Sequence, residues 1–147
     1  MKHLTYSTQI EAAPQQVWST MLGPETYQEW TRVSWPGSHF EGQWKQGEKI
    51  RFISPDGSGT LASIVELRPY EYVSARHEAI LQKGGAEDRD SEAAKGWTGI
   101  MENYTFTPRD GGTELTVDIE TNPAWEKMFN EGWPKALEAL KKISEKV

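Results

Sequence analysis

The segment from Pro123 to Val147 constrains the fold more than any other part of the chain. It carries the one long helical pattern, and it follows an extended run of sequence that reads as strands and turns. Trp125, Met128, Phe129, Trp133, Leu137, Leu140 and Val147 recur at helical spacing, which places them on one face of a helix. A lone helix with tryptophans on that face has to bury it against something large. The large partner this chain can build is an antiparallel sheet, and a curved sheet around one helix often encloses a cavity.

The totals bound the rest. A chain of 147 residues is read as one domain over 1–147, long enough to bury a core without covalent staples. It has no cysteine, which excludes a disulfide framework, a thiolate nucleophile and a Cys-ligated metal. The first residues lack the apolar run of a secretory signal, and no stretch approaches the roughly 20 apolar residues of a membrane span. A cytoplasmic location is therefore expected. Net charge is −6, and no block of Lys or Arg is present to grip phosphates. Nucleic acid and anionic membrane surfaces are set aside as partners.

Along the chain, Leu4, Tyr6, Thr8 and Ile10 alternate with polar residues and predict a first strand with one buried face. Pro14 suits the first turn of a helix, with Val17, Trp18, Met21 and Leu22 as its inner stripe, and Gly23-Pro24 ends it. Glu25 to Trp30 reads as a second short helix anchored by Tyr27 and Trp30. Strands are expected around Phe40 and over 49–54, 60–67, 70–79, 98–107 and 113–121. Pro55-Asp56-Gly57-Ser58-Gly59 is a hairpin signal, and Asp110-Gly111-Gly112 is a further turn. Residues 83–96 form a polar, glycine-led excursion with a short helical turn near Ser91–Lys95, and loops of this length are often functional. Pro134 inside the last helix predicts a kink near Gly132 or two helices in tandem. Helices segregated from a run of strands define an α+β domain.

This order resembles the START-like (SRPBCC) superfamily, and within it the branch related to the activator of Hsp90 ATPase homologue 1. The resemblance is carried by Ile10-x-Ala12-x-Pro14-x-x-Val17-Trp18, by Pro24-Glu25 with Trp30, and by Gly57-x-Gly59. Further on it rests on Glu66-x-x-Pro69, Tyr104-x-Phe106, Gly111-Gly112-Thr113-x-Leu115 and Gly132-Trp133-x-x-x-Leu137-x-x-Leu140. Each piece alone is weak; their order spans almost the whole chain. The resemblance implies a helix-grip fold: a curved antiparallel sheet of six to seven strands around a long C-terminal helix, with two short helices after the first strand. Families on this fold include lipid and hormone binders, polyketide cyclases and chaperone-binding domains, so the fold does not select a function.

No catalytic constellation stands out. His3, His39 and His77 lack metal-ligand spacing, and there is no G-x-S-x-G elbow or phosphate-cradling loop. No metal or cofactor is expected. Three residues are weak catalytic candidates. Glu102 shares a period-two face with Ile100, Tyr104 and Phe106, so it is expected to point inward, where a carboxylate needs a partner. Arg76 could pair with it, and His77 lies beside Arg76. The facing of 70–79 is ambiguous, because Tyr72, Ser74 and Arg76 compete with Val73, Ala75 and His77 for the inner side.

The stronger signal is aromatic. Seven Trp, five Tyr and four Phe sit in a chain that is hydrophilic overall. Trp30, Trp35, Phe40, Phe52, Trp97, Tyr104, Trp125 and Trp133 are the candidate ligand-binding residues, expected to converge where the helix meets the sheet, though each would equally serve as core filling. The first reading is a non-catalytic binding module for a small hydrophobic or aromatic ligand, with 83–96 as a lid. The alternatives are a chaperone-regulator-like interaction domain and a cyclase- or hydrolase-type enzyme using the same cavity. The protein is expected as a monomer or homodimer.

Overall fold

The computed structural model describes residues 2–146. Strand β1 (Lys2–Ile10) leads into helix α1 (Pro14–Leu22) and helix α2 (Pro24–Thr31), each with proline in its first turn. The fixed φ of proline is preset for that position, and its missing N–H is no loss there. Strands β2 (His39–Glu41), β3 (Lys49–Ile53), β4 (Gly59–Arg68) and β5 (Tyr72–Leu81) follow. A two-residue strand β6 (Glu87–Asp88) and the single-turn helix α3 (Glu92–Lys95) come next. Strands β7 (Met101–Arg109) and β8 (Gly112–Thr121) precede a 3-10 turn at Pro123–Trp125 and helix α4 (Glu126–Glu145).

The sheet is antiparallel, with order β1-β8-β7-β5-β4-β3-β2 and β6 beside the far end of β5. The eighth strand exceeds the six to seven expected. It arises because β7 covers β5 only from Tyr72 to Arg76, leaving Ile80 and Leu81 free to pair with Asp88 and Glu87. One face of the sheet grips α4. Tyr104 and Phe106 from β7, Leu115, Val117 and Ile119 from β8, and Ala62 and Ile64 from β4 share one core with Trp133, Leu137 and Leu140. Each large side chain removed from water there is worth about 1.5–3 kcal/mol, and these alternating strands supply them at every second position. This is the helix-grip architecture.

Three details depart from the sequence expectations, and a fourth resolves a facing the sequence left open. First, α4 is one helix, not two in tandem. Pro134 lies on its exposed side, where solvent can replace the donor that the Asn130 carbonyl loses. Second, the buried stripe of α4 is Phe129, Gly132, Trp133, Ala136, Leu137, Leu140 and Ser144. Met128 is 46% exposed, Trp125 belongs to the preceding 3-10 turn, and Val147 lies outside the described residues. Third, β7 begins at Met101, not Thr98. Gly99 takes φ +89°, a conformation open to glycine, and Trp97 N–H and Ile100 N–H close turns onto the carbonyls of Ala94 and Trp97.

Fourth, the facing of β5 changes along its length. Val73, Ala75 and His77 point to the helix side. Ala62 pairs with His77 and Leu61 with Ala79, so Glu78 is an extra residue. Such a bulge reverses the alternation beyond it. Ile80 packs against the main core, whereas Leu61, Ala79 and Leu81 form a separate small cluster with Ile53.

Candidate functional site

The floor of the site comes from the sheet. Phe52 on β3, Thr60 on β4, His77 on β5, and Glu102 and Tyr104 on β7 all present the face turned to α4. Its walls come from helices and loops. Tyr27 and Trp30 project from α2, Trp35 from the following loop, Trp97 from the turn after α3, and Phe129 and Trp133 from α4. Together they line a partly open pocket of about 320 Å³ whose lining is mostly apolar.

Each wall has a local cause. Trp30 is buried, and its indole N–H donates to the Met21 carbonyl at 3.2 Å, locking α2 onto α1. Tyr27 meets Trp30 and Phe40 edge to face. Trp35 stands edge-on to Trp133, with ring centroids 5.4 Å apart. It gets that close because residue 132 is glycine: a Cβ there would lie 2.8 Å from Trp35 Cζ2. The Ser34 hydroxyl donates to the Gly132 carbonyl at 2.7 Å and fixes the loop to α4. Trp97 lies over His77 with ring centroids 4.5 Å apart and is roughly parallel to Phe129.

Polar groups cluster on the sheet side. Glu102 Oε1 lies 3.1 Å from His77 Nε2, and the Tyr104 hydroxyl donates to Oε2. His77 is 3% exposed. A carboxylate accepts, so the hydrogen bond between the two is donated by His77 Nε2. Burial, and then the Glu102 charge, hold the Tyr104 phenol well above its ordinary pKa. Burial does the same to Tyr27. Both phenols are protonated at neutral pH. Three nitrogens on lining residues have no hydrogen-bond partner among the described residues: His77 Nδ1, Trp97 Nε1 and Trp133 Nε1. Buried polar groups are rarely left so.

Glu102 points inward as its strand period requires, but its partner is not Arg76. Arg76 faces Met101 across β5–β7 and is exposed on the opposite side of the sheet. The partner is His77, the diagonal neighbour of Glu102. Of the eight aromatic candidates, Trp30, Trp35, Phe52, Trp97, Tyr104 and Trp133 line the cavity. Phe40 stands behind it, against Tyr27 and Trp44. Trp125 lines an adjoining groove of about 210 Å³ with Ile80, Met128 and Trp97. Tyr27 and Phe129 were visible in the sequence as helix anchors rather than as site residues. Phe129 lies one helical turn from Trp133, which was the signal available for it. Trp44, packed against Phe52 and Tyr104 from behind, lies in turn-rich sequence with no period to reveal its facing.

The excursion at 83–96 is fastened down. Asp88 accepts from the Ser91 hydroxyl and from the Gln82 side chain, both at 2.7 Å, and from the backbone N–H groups of Asp90 and Ser91. These bonds hold its carboxyl down at about 2. Ser91 in turn caps α3 by accepting from Ala94 N–H. The residue of this region that reaches the cavity is Trp97, just beyond it. Among the described residues no group of three or more His, Asp or Glu is placed to hold a metal ion, and no helix is long and apolar enough to cross a membrane.

The fold defines a START-like helix-grip domain. Residues 11–145 match the family described as activator of Hsp90 ATPase homolog 1-like protein, and the chain belongs to that family. Among solved structures it is similar to protein MLL2253 from Mesorhizobium loti, at 16% identity and a TM-score of 0.75, covering 99% of this chain and 98% of that one. The Aha1 dimer from Colwellia psychrerythraea gives 16% identity and a TM-score of 0.72, with 99% and 97% covered. DynU16, a protein of the dynemicin biosynthetic locus, gives 18% identity and a TM-score of 0.69, with 97% of this chain and 46% of that one covered. At such identities the likeness is one of fold. No curated protein sequence matches.

Proposed function

We propose that the protein binds a small hydrophobic or aromatic molecule, without transforming it, in the cavity between the sheet and α4. The observation that carries this reading is the lining: aromatic rings from α2, the loop after it, β3, β7 and α4 converge on about 320 Å³ of space. That volume falls at the lower end of the roughly 300–1,000 Å³ of small-molecule sites, and apolar walls with a few placed polar groups are their usual composition. Binding without chemistry is favoured because Glu102 is already engaged by both His77 and Tyr104, and Arg76 faces away. Native mass spectrometry of the purified protein, with extraction of anything bound, tests it. A stoichiometric small molecule supports the proposal. An empty protein that also fails to bind any of a broad panel of hydrophobic compounds, followed by tryptophan fluorescence, removes it.

A second reading is favoured by the family itself, whose description names an activator of the Hsp90 ATPase. In that reading the domain docks on a chaperone. Recovery of a chaperone in a pull-down that survives stringent washing supports it, and the absence of one counts against it.

A further inference from the structure

We propose that the ligand has two parts: a ring lodged in the pocket, and a flexible hydrocarbon chain that leaves it past Trp97 and Met128 to lie in the groove along Trp125. The inference rests on the pocket being a ligand site and names the shape of molecule that site takes. Pocket and groove are continuous, because Gly59, Thr60, Trp97 and Met128 line both. Gly59 adds no side chain to that shared border, and a Cβ there would run into the Phe52 carbonyl. Beyond the border the groove adds Ile80 and Trp125, and its walls are almost wholly apolar.

Size argues for a single occupant. At about 210 Å³ the groove is smaller than the roughly 300–1,000 Å³ of a site that holds a small molecule by itself. It is an annex to the pocket, open on one side to water. The start of α4 lays out the path. Phe129 lines the pocket, Met128 borders both spaces, and Trp125, one turn back, lines the groove. Met128 is 46% exposed, and an unbranched thioether adapts to a chain lying across it. Apolar surface left open beside a pocket marks a ligand groove. With so little polar surface along it, a hydrocarbon fits there better than a polar chain. The pocket end takes the ring, since Trp30, Phe52, Phe129 and Trp133 offer it ring faces and edges.

The test compares two isomers with the same ring and the same carbon count. In 4-hexylphenol the chain can leave the pocket; in 2,6-diisopropylphenol the carbons stay against the ring. Binding is measured by equilibrium dialysis with chromatographic quantitation. Each methylene covered on one side contributes about twofold, so 4-hexylphenol is expected to bind about tenfold more tightly than its isomer. That advantage should fall to within about threefold in Ile80→Thr, which makes the groove polar and keeps a β-branched strand residue, and in Trp125→Ser. Binding of 2,6-diisopropylphenol should be unaltered in Ile80→Thr, since Ile80 lines the groove and not the pocket. Both variants are checked for native circular dichroism. Equal binding of the isomers to the wild type, or tighter binding of the compact one, overturns the two-part ligand and leaves the pocket reading standing. No binding of either isomer overturns both. An advantage that persists undiminished in a folded variant overturns the placement of the chain in the groove.

Discussion

Glu102 Oε1 stands 3.1 Å from His77 Nε2 along a diagonal between two neighbouring strands, because Glu102 is in register with Ala75, two residues short of His77. The carboxylate thus serves two donors at once, His77 on one oxygen and Tyr104 on the other. Glu102→Gln keeps the shape but turns an N–H₂ toward one of those donors. We expect a loss of about 1–3 kcal/mol in urea unfolding, with the same secondary structure by circular dichroism. A variant as stable as the wild type would mean that solvent already competes for these bonds.

Gly132→Ala sets two effects against each other. Alanine gains about 1 kcal/mol over glycine inside a helix, while a methyl 2.8 Å from Trp35 Cζ2 forces the ring away at about 1–3 kcal/mol for overpacking. The steric term is expected to win, because Trp35 is held edge-on to Trp133 and its loop is pinned by Ser34. The result is a lower melting temperature and a shifted tryptophan emission maximum. A more stable protein with an unaltered spectrum would show that Trp35 moves without cost.

Tyr27 and Tyr104 make a prediction for alkaline pH. Both phenols are raised in the folded state, first by burial, so the native protein retains protons that the unfolded chain releases near pH 10. Their stabilising contribution is complete below that pH and declines as pH rises above it. Absorbance titration at the phenolate band should show these two of the five tyrosines ionising only as the protein unfolds. In Tyr27→Phe the late, cooperative step should lose about half its amplitude.

For Asp88 the sign is the opposite. Hydrogen bonds from Ser91, Asp90 and Gln82 hold its carboxyl at about 2, below the ordinary value near 4. Its contribution is complete above that ordinary value and is lost as pH falls through about 2. Asp88→Ala removes the hub of the 83–96 segment at any pH. Limited proteolysis should then cut within this segment at least about fivefold faster, consistent with local opening, while the rest of the chain resists. Unchanged cleavage would assign the ordering of the segment to the β6 pairing instead.

Much of this arrangement was legible in the sequence, and the limits have identifiable causes. The stripe Phe129, Trp133, Leu137 and Leu140 implied the gripped helix, and the alternation around Glu102 and Tyr104 placed both on the inner face. Among the aromatic candidates, Phe52 and Tyr104 lie on strands and Trp30 and Trp133 on helices, where the period reports facing, whereas Trp35 and Trp97 reach the pocket from loops that carry no period. The partner of Glu102 could not be read, since the choice between Arg76 and His77 depends on the phase of β5. Phe40 stands behind the pocket, in turn-rich sequence that carries no period, and Trp125, read as part of the helical stripe, lies in the 3-10 turn before it. Pro134 did not divide the helix in two: its cost depends on whether the helix side it occupies is wet, and that is a property of the packed molecule.

The extra residue at Glu78 divides the sheet into two neighbourhoods with different fates. Up to His77 the inward side chains Val73 and Ala75 belong to the core that holds α4. Past it, Leu61, Ala79, Leu81 and Ile53 answer mainly to one another. A patch of that size can come apart at much lower free energy than the gripped core. The outer corner formed by the ends of β3, β4 and β5 with β6 should therefore exchange its amide hydrogens as one cooperative group, ahead of β7, β8 and α4. Trp97, packed on His77, Trp125 and Phe129, belongs to the gripped core and should stay protected with it.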